Sequence, residues 1–420
     1  MTDQTSASSS APSPRSLVWL VMGLFFIWGG ATSLNDILIP KLKGLYSLSY
    51  AEVMLTQFAF FTAYFVVSVP AGTLIARIGY VRGLVVGLAV MAAGALLFWP
   101  AAGSGVYWSF LVALFVLAGG ITILQVASNP LITTLGGAAG ASSRLTFAQA
   151  FNSLGTTIWP YIGAQLILGS VAATDPKTIP AAQLPVFRAA ETAIVGHIYI
   201  GIAIVLAIIA VIFWTQRNVL PQERPDEVGF FDSLGLLRQP RIRFGVLALF
   251  VYVGAEVSIG SILVNYLELP ATLALSPQTA GERLSFYWGG AMIGRFVGSW
   301  LLNRIVPGKL LAVFAAVAVG LVVTSISTTG TIAGWSLIAV GLFNSIMFPT
   351  IFSLALEGQG RKTPEASGLL CMAIVGGAIV PLITGSFADA TSIATALIVP
   401  IICYAIIAAF GLSARKPLAA

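Results

Sequence analysis

The chain has 420 residues, of which 58% are hydrophobic and only 9% are charged, against about 45–50% and about 25% in an average soluble domain. This composition excludes a soluble globular protein. Apolar runs recur along the chain, each long enough to cross a hydrocarbon layer of about 30 Å as a helix of about 20 residues. Because lipid offers the backbone no hydrogen-bond partners, the sequence predicts an all-α membrane protein.

In chain order, residues 1–15 are rich in Ser, Thr and Pro and predict a disordered tail. Twelve membrane-spanning helices are predicted near 17–40, 50–75, 82–101, 107–134, 146–169, 192–214, 244–267, 284–303, 309–327, 332–355, 366–386 and 393–412. A charge-rich cytoplasmic linker at 215–243 separates an N-terminal six-helix bundle, 16–214, from a C-terminal one, 244–413, and 414–420 form a tail.

Basic residues are distributed unevenly over the predicted loops. With the N-terminus in the cytoplasm, fifteen Lys and Arg residues lie on the inner side and five on the outer side. The positive-inside rule therefore predicts a multi-pass protein of the cell inner membrane with both termini in the cytoplasm. The net charge of +6 then requires no nucleic-acid partner. Among the inner residues, Arg77, Arg82 and Arg144 are predicted to be gating or structural.

The two predicted bundles resemble each other in sequence. The stretch "FFIWGGATS" from residue 25 matches "LFVYVGAEV" from residue 249, which pairs Thr32 with Glu256. The stretches "LQVASNP" and "FNSIMFP" align at their prolines and pair Gln125 with Asn344. "FNSLGTTIWP" from residue 151 aligns with "MAIVGGAIVP" from residue 372. Three matches in the same order indicate an internal duplication, which is typical of transporters.

Three charged residues lie inside predicted spans: Asp36, Glu256 and Arg295. A carboxylate at the bilayer centre costs about 2.5–3.5 kcal/mol, so each acid should face a cavity or a partner. The duplication places Asp36 one turn after the counterpart of Glu256, so both acids are candidates for binding a coupling cation. The alternative is that they form structural hydrogen bonds. Arg295 is predicted to be structural or gating, with its side chain snorkelling or binding helix-end carbonyls.

Amides and an aromatic residue form a second set of candidates. A sugar requires donors and acceptors for its hydroxyls and a flat apolar surface for its ring. The candidate sugar-binding residues are Trp28, Asn35, Gln125, Gln149, Asn152, Asn265 and Asn344. Gln149 and Asn152 are three residues apart and share one helix face. The alternative is that these amides only join helices.

Other functions lack sequence support. The chain contains no phosphate-binding loop, nucleophile elbow or metal-ligand spacing, so neither an enzyme, a cofactor nor a metal site is expected. A drug or metabolite exporter on the same scaffold stays an alternative, although the amide-rich spans disfavour it. A channel is less favoured, because no selectivity-loop pattern repeats.

The stretches "WGGATSLNDILIP" (28–40), "ASNPLITTLG" (127–136), "RLTFAQAFNSLGT" (144–156), "YVGAEVSIGSILVNY" (252–266) and "FPTIFSLAL" (348–356) carry a family resemblance. Over nearly its full length the chain resembles the L-fucose/proton symporter family of the major facilitator superfamily, which includes glucose/galactose and N-acetylglucosamine porters. "GTLIARIGYVRG" (72–83) is a loose form of the superfamily's loop signature.

The resemblance implies that Asp36 is the proton-carrying aspartate and that Gln149, Asn152 and Trp28 bind sugar. This chain has Gln125 where the fucose symporter has a second acid, and Glu256 where that protein has an amide. Glu256 with Asn344 and Phe348 looks more like the glucose/galactose and N-acetylglucosamine branches.

We therefore expect a hexose importer driven by a proton and working as a monomer within the lipid bilayer. A sodium-coupled hexose or N-acetylglucosamine symporter is the alternative, since some relatives use sodium.

Overall fold

The computed structural model describes residues 14–46, 48, 50–135, 140–163, 179–180, 182–218 and 230–415. Every regular element within these ranges is helical, which confirms the predicted all-α fold. The helices are α1 (Pro14–Tyr46), α2 (Tyr50–Ile78), α3 (Tyr80–Ser104), α4 (Tyr107–Thr134), α5 (Ala141–Gly163), α6 (Leu184–Thr215), α7 (Phe230–Gly235), α8 (Pro240–Glu268), α9 (Pro277–Leu302), α10 (Pro307–Ser327), α11 (Gly330–Asn344), α12 (Met347–Leu356), α13 (Thr363–Met372), α14 (Gly376–Ala390), α15 (Ile393–Ala396) and α16 (Ile398–Ser413).

Some predicted spans consist of two helices. The tenth span is divided into α11 and α12 at Ser345, because Pro349 lacks an amide hydrogen and its ring clashes with the carbonyl four residues earlier. The eleventh span is divided by a 3-10 turn at Ala373–Val375. The first span is longer than predicted, since α1 continues past Pro40 to Tyr46. Membrane helices tolerate such prolines because neighbouring groups compensate for the lost hydrogen bond.

By length and hydropathy, nine spans within the described residues could cross a membrane. Helices α1, α5 and α9 are not among them, and α1 contains only a shorter apolar segment, Leu17–Ser33. These three helices carry Asp36, Gln149, Asn152 and Arg295. The other candidates, Gln125, Glu256 and Asn344, lie on α4, α8 and α11, which are apolar enough to span a membrane.

Helices α1–α6, here called the N half, pack mainly on one another, and helices α8–α16, the C half, do the same. The domain boundaries drawn from sequence stay a prediction, because residues 1–13, 219–229 and 416–420 lie outside the described ranges. Short helix α7 lies within the predicted linker and packs against α2 and α13.

Equivalent helix contacts in the two halves agree with the internal duplication. A side-chain carbon added at Gly155 of α5 would overlap the backbone carbonyl oxygen of Phe26 in α1. One added at Gly376 of α14 would overlap the carbonyl oxygen of Phe250 in α8. The sequence alignment pairs these glycines with each other and these phenylalanines with each other. Each contact requires glycine because two backbones meet there.

A second pair of contacts has the same register. A carbon added at Gly30 would overlap the Trp159 ring, and one added at Gly254 would overlap the Val380 side chain. The alignment pairs Gly30 with Gly254 and Trp159 with Val380. The fixed register also makes Trp28 the counterpart of Tyr252.

The halves meet closely at the end of the molecule where α1 begins and α16 ends, here called the terminal face. The Ser142 and Ser353 hydroxyls lie 2.6 Å apart, and the Ser143 hydroxyl donates to the Ser299 carbonyl oxygen at 2.8 Å. Helices α2 and α13 cross at glycines, since a carbon added at Gly368 would lie 3.4 Å from the Gly72 α-carbon. The two halves are therefore joined at this face.

Candidate functional site

Helices α1 and α5 bring three of the candidate sugar-binding residues together. Asn152 donates its side-chain amide to the Phe25 carbonyl oxygen at 3.2 Å, which joins α5 to α1. The Phe25 ring meets the Trp28 ring edge-on, with centroids 5.1 Å apart. Gln149 is 6% exposed and donates to the Asn129 side-chain oxygen at 3.5 Å, a long and weak hydrogen bond.

Trp28 carries a buried donor that the described residues do not satisfy. The side chain is 3% exposed, and its Nε1 atom has no hydrogen-bond partner among them. A buried unpaired donor costs about 1–3 kcal/mol. Native proteins leave few such groups without a functional or solvent explanation. Trp28 is therefore poised to donate a hydrogen bond to a ligand or a water molecule.

Asp36 and Asn35 lie within α1, but their side chains are outside the described residues. The predicted cation and sugar roles of these two residues stay predictions.

Glu256 and Arg295 lie on the packed helices α8 and α9 and form no ion pair. The charge of Arg295 acts on the Glu256 carboxylate, but no nitrogen of Arg295 lies within 4.0 Å of a Glu256 oxygen. Arg295 NH1 instead donates to the Ser153 hydroxyl and, at 3.5 Å, to the Gln149 carbonyl oxygen, both in the N half. Arg295 thus binds the middle of α5, whereas the sequence predicted that its side chain would snorkel or would bind carbonyls at a helix end.

Asn344 is the centre of a buried hydrogen-bond network in the C half. Its Nδ2 group donates to the Tyr287 hydroxyl at 2.7 Å, and its Oδ1 atom accepts from the Tyr404 hydroxyl at 2.8 Å. The Tyr252 hydroxyl donates to the Asn344 carbonyl oxygen at 3.2 Å. The Tyr287 hydroxyl also donates to the Glu256 carbonyl oxygen at 3.1 Å. The Asn344 amide is therefore engaged within the protein, where the sequence offered it as a sugar ligand.

The remaining amides differ in their surroundings. Gln125 is half-buried and donates to the Tyr64 hydroxyl at 2.5 Å. Asn265 is exposed near the end of α8, apart from the network around Asn344. Sequence reasoning did not single out Tyr64, Tyr252, Tyr287, Tyr404 or Ser153. The signal that could have found the tyrosines is a phenol hydroxyl inside an apolar span, since a buried hydroxyl requires a partner.

The loop arginines have mainly structural surroundings. Arg144 NH2 donates to the Thr133 carbonyl oxygen at 2.6 Å and Arg144 Nε to the Ile132 carbonyl oxygen at 3.2 Å. These carbonyls end α4, so the guanidinium satisfies acceptors that the helix leaves unpaired. Arg77 is exposed in the last turn of α2, and Arg82 is half-buried at the start of α3.

A groove of about 630 Å³ lies between α1 and α6, away from these polar residues. Its walls include Trp19, Phe26, Ile209 and Phe213 and are almost entirely apolar. It suits lipid chains and offers a sugar very little polar surface.

Comparisons with known proteins agree with this arrangement. A model of the Major Facilitator Superfamily matches residues 20–373. The glucose/galactose transporter of Brucella abortus biovar 1 (strain 9-941) is 53% identical over 395 residues, covering 94% of this chain and 92% of that protein. The L-fucose-proton symporter of Escherichia coli (strain K12) is 37% identical over 405 residues, covering 93% of this chain and 91% of that protein.

Among solved structures, the Major Facilitator Superfamily transporter FucP in the outward conformation superimposes with a TM-score of 0.86 at 33% identity. The superposition covers 97% of this chain and all of that one. These matches identify a multi-pass membrane transporter and exclude an enzyme. The chain belongs to the Major Facilitator Superfamily, and within it to the family of glucose/galactose transporters and L-fucose/proton symporters.

Proposed function

We propose that this protein is a secondary active transporter that imports a hexose of the glucose or galactose type together with a cation, most simply a proton. The observation that carries the proposal is a polar connection between the halves beside the candidate sugar-binding amides. Arg295 of the C half donates to the Ser153 hydroxyl and the Gln149 carbonyl oxygen of α5, the helix on which Asn152 binds the Phe25 carbonyl oxygen of α1. The names of the glucose/galactose transporters and the L-fucose-proton symporter give it further support.

In this proposal the sugar binds between the halves, and Gln149, Asn152 and Trp28 contact it from the N half. Gln125 and Asn35 lie on the same half and complete the candidate set. Asp36 carries the coupling cation, with Glu256 as the second candidate. Neutralising a carboxylate removes the penalty for closing a dry cavity around it. Cation entry down its gradient then drives sugar entry by alternating access.

We also propose that the terminal face is cytoplasmic, in the inner membrane, and that the protein works as a monomer in the bilayer. The excess of basic residues on the predicted inner side supports this orientation. The hydroxyl contacts of Ser142 and Ser143 across the halves then correspond to closure toward the cytoplasm. The likeness to FucP in its outward conformation agrees with that assignment.

Sugar uptake into proteoliposomes tests the proposal. Glucose, galactose, mannose, fucose and N-acetylglucosamine are offered under separately imposed proton and sodium gradients. We expect accumulation of glucose or galactose under the proton gradient; accumulation only under sodium would select the sodium-coupled alternative. An exporter would instead require uptake by everted vesicles and none by right-side-out vesicles.

Replacement of the proposed coupling residue gives the sharper test. Asp36→Asn is expected to abolish gradient-driven accumulation while sugar exchange at equal concentrations persists, because binding survives without the titrating group. The matched control is Asp389→Asn, which replaces an acid at the end of α14. If a folded Asp36→Asn protein accumulated sugar like the wild type, the assignment of Asp36 as the coupling residue would be wrong.

A further inference from the structure

The groove between α1 and α6 lies at the lipid-facing surface of the N half. Its walls come from the first turns of α1 and the last turns of α6, so it lies near the terminal face. Trp19 is 63% exposed and Ile212 is 41% exposed along it. Because the chain is a multi-pass membrane transporter, these exposed apolar side chains face the acyl chains of the bilayer.

The equivalent space in the C half is filled by protein. Helices α8 and α16 pack closely together, whereas α1 and α6 scarcely touch. The alignment of the halves pairs Leu20 of the groove with Phe244, whose ring meets the Phe410 ring of α16 with centroids 5.4 Å apart. It also pairs Gly23 of the groove with Leu247. The N half therefore has a smaller residue than the C half at both positions and leaves a groove there.

The α6 wall of the groove leads to polar residues at the end of that helix. Gln216 follows Ile212 by four residues, and Arg217 follows Phe213 by four, so both continue the wall at helical spacing. The Gln216 Oε1 atom is buried and has no hydrogen-bond partner among the described residues. Such an acceptor requires a donor from outside the protein.

Arg217 is a fixed cation one turn beyond the groove. Its NH1 group donates to the Trp214 carbonyl oxygen at 2.8 Å, and its guanidinium carbon lies 4.5 Å from the Trp214 ring centroid. The ion pair within the described ranges joins Arg241 to Glu357, so no carboxylate in that part of the chain neutralises Arg217. A cation of this kind between membrane helices attracts an anionic lipid headgroup.

These features together select the lipid. The apolar walls suit an acyl chain, the Arg217 guanidinium suits a phosphate, and Gln216 Oε1 requires a donor. Phosphatidylglycerol supplies all three, because its phosphate is negative and its headgroup glycerol carries hydroxyls. Phosphatidylethanolamine has no net charge, and Arg217 repels its ammonium group.

We infer that this groove binds one phosphatidylglycerol molecule from the leaflet at the terminal face, with an acyl chain along the groove and the headgroup at Gln216 and Arg217. The lipid occupies in the N half the space that Phe244 and Phe410 occupy in the C half. The site is separate from the candidate sugar-binding residues, so the inference goes beyond the proposed function.

Native mass spectrometry of the detergent-purified protein tests the site. Phosphatidylglycerol and phosphatidylethanolamine are titrated separately, and the fraction of protein carrying one lipid gives each affinity. We expect wild-type protein to bind phosphatidylglycerol about fivefold more tightly than phosphatidylethanolamine. Arg217→Gln should remove that preference.

Gly23→Leu gives α1 the residue of the C half and fills the groove. A carbon added at Gly23 meets nothing within 4 Å, so the contacts between helices are kept. This variant should bind both lipids about tenfold more weakly, because the acyl chain loses buried surface.

Gly320→Leu and Arg304→Gln are the matched controls and should bind both lipids like the wild type. A carbon added at Gly320 of α10 also meets nothing within 4 Å, and Arg304 lies over the Trp300 ring as Arg217 lies over Trp214. Equal affinity of wild-type protein for the two lipids, or undiminished binding by Gly23→Leu, overturns the inference. A paired mass of two chains that Gly23→Leu abolishes would assign the groove to a second copy instead. Lipid binding is measured without sugar, so its failure leaves the proposed function standing.

Discussion

The two halves share a backbone arrangement and differ in what they do with their polar groups. Gly155 meets Phe26 in one half as Gly376 meets Phe250 in the other. At the paired positions Gln125 and Asn344, however, the first amide is half-buried with one tyrosine partner and the second is fully buried between two. The duplication thus preserved the helix contacts, which depend on backbone shape, while the side-chain chemistry diverged.

The same divergence is visible at Trp28 and its counterpart Tyr252. The Trp28 Nε1 atom has no partner within the described ranges, whereas the Tyr252 hydroxyl donates to Asn344 at 3.2 Å. A satisfied buried network rigidifies its surroundings, and an unsatisfied donor awaits a ligand. The comparison suggests that the C half positions Glu256 on a rigid platform and that the N half supplies more of the adaptable sugar contacts.

The largest expected change in stability distinguishes the paired amides Gln125 and Asn344. Asn344→Ala leaves the Tyr404 hydroxyl without its Asn344 partner, removes one of the two hydrogen bonds of the Tyr287 hydroxyl, and should destabilise the protein by about 3 kcal/mol, against about 1 kcal/mol for Gln125→Ala. Melting temperatures of the purified proteins measure the difference, and Asn265→Ala, an exposed amide of the C half, is the control. Equal melting temperatures for the two test variants would remove the asymmetry between the amides.

The next prediction tests the glycine contacts between helices that the two halves share. Gly155→Ala and Gly376→Ala should each destabilise the protein by about 2 kcal/mol, because the new methyl group meets a backbone carbonyl that cannot rotate away. Gly201→Ala and Gly320→Ala are matched controls in helices where added carbons meet nothing within 4 Å. If only one of the two variants, Gly155→Ala or Gly376→Ala, lowered the melting temperature, the two glycine contacts would not be equivalent.

The smallest effect separates stability from binding at the paired aromatic positions. Tyr252→Phe removes a satisfied hydrogen bond and should cost about 1 kcal/mol of stability. Trp28→Phe removes an unsatisfied donor and should weaken sugar binding roughly fivefold. Thermal melts and sugar competition on both variants give the two readouts, and the reverse pattern would contradict the proposed division between platform and binding surface.

Much of the fold was predictable because apolar runs, charge asymmetry and internal repeats are local features of the sequence. The alignment that paired Gly30 with Gly254 also predicted equivalent partners for them, and the structure has Trp159 and Val380 there. Breaks such as the one before Pro349 were harder to place, since a proline indicates a kink without fixing whether the helix continues.

The site was less predictable because its partners are distant in sequence. Asn344 bonds Tyr287 and Tyr404, which lie 57 and 60 residues away along the chain. The sequence shows that one apolar span contains an amide and that another contains a tyrosine, but it does not show that the two side chains are in contact. Arg295 likewise crosses to Ser153, 142 residues earlier and in the other half, which its own helix could not indicate.

The glycine crossing of α2 and α13 at the terminal face has a mechanical consequence. Gly72 and Gly368 carry no side chains, so neither residue has a side chain that must leave a groove of the other helix when one helix rotates against the other. The nearby serine hydroxyls can exchange their partners for water at little net loss. Rotation between the halves at this crossing therefore requires no side chain of either glycine to leave its place, although both helices lie at backbone contact there.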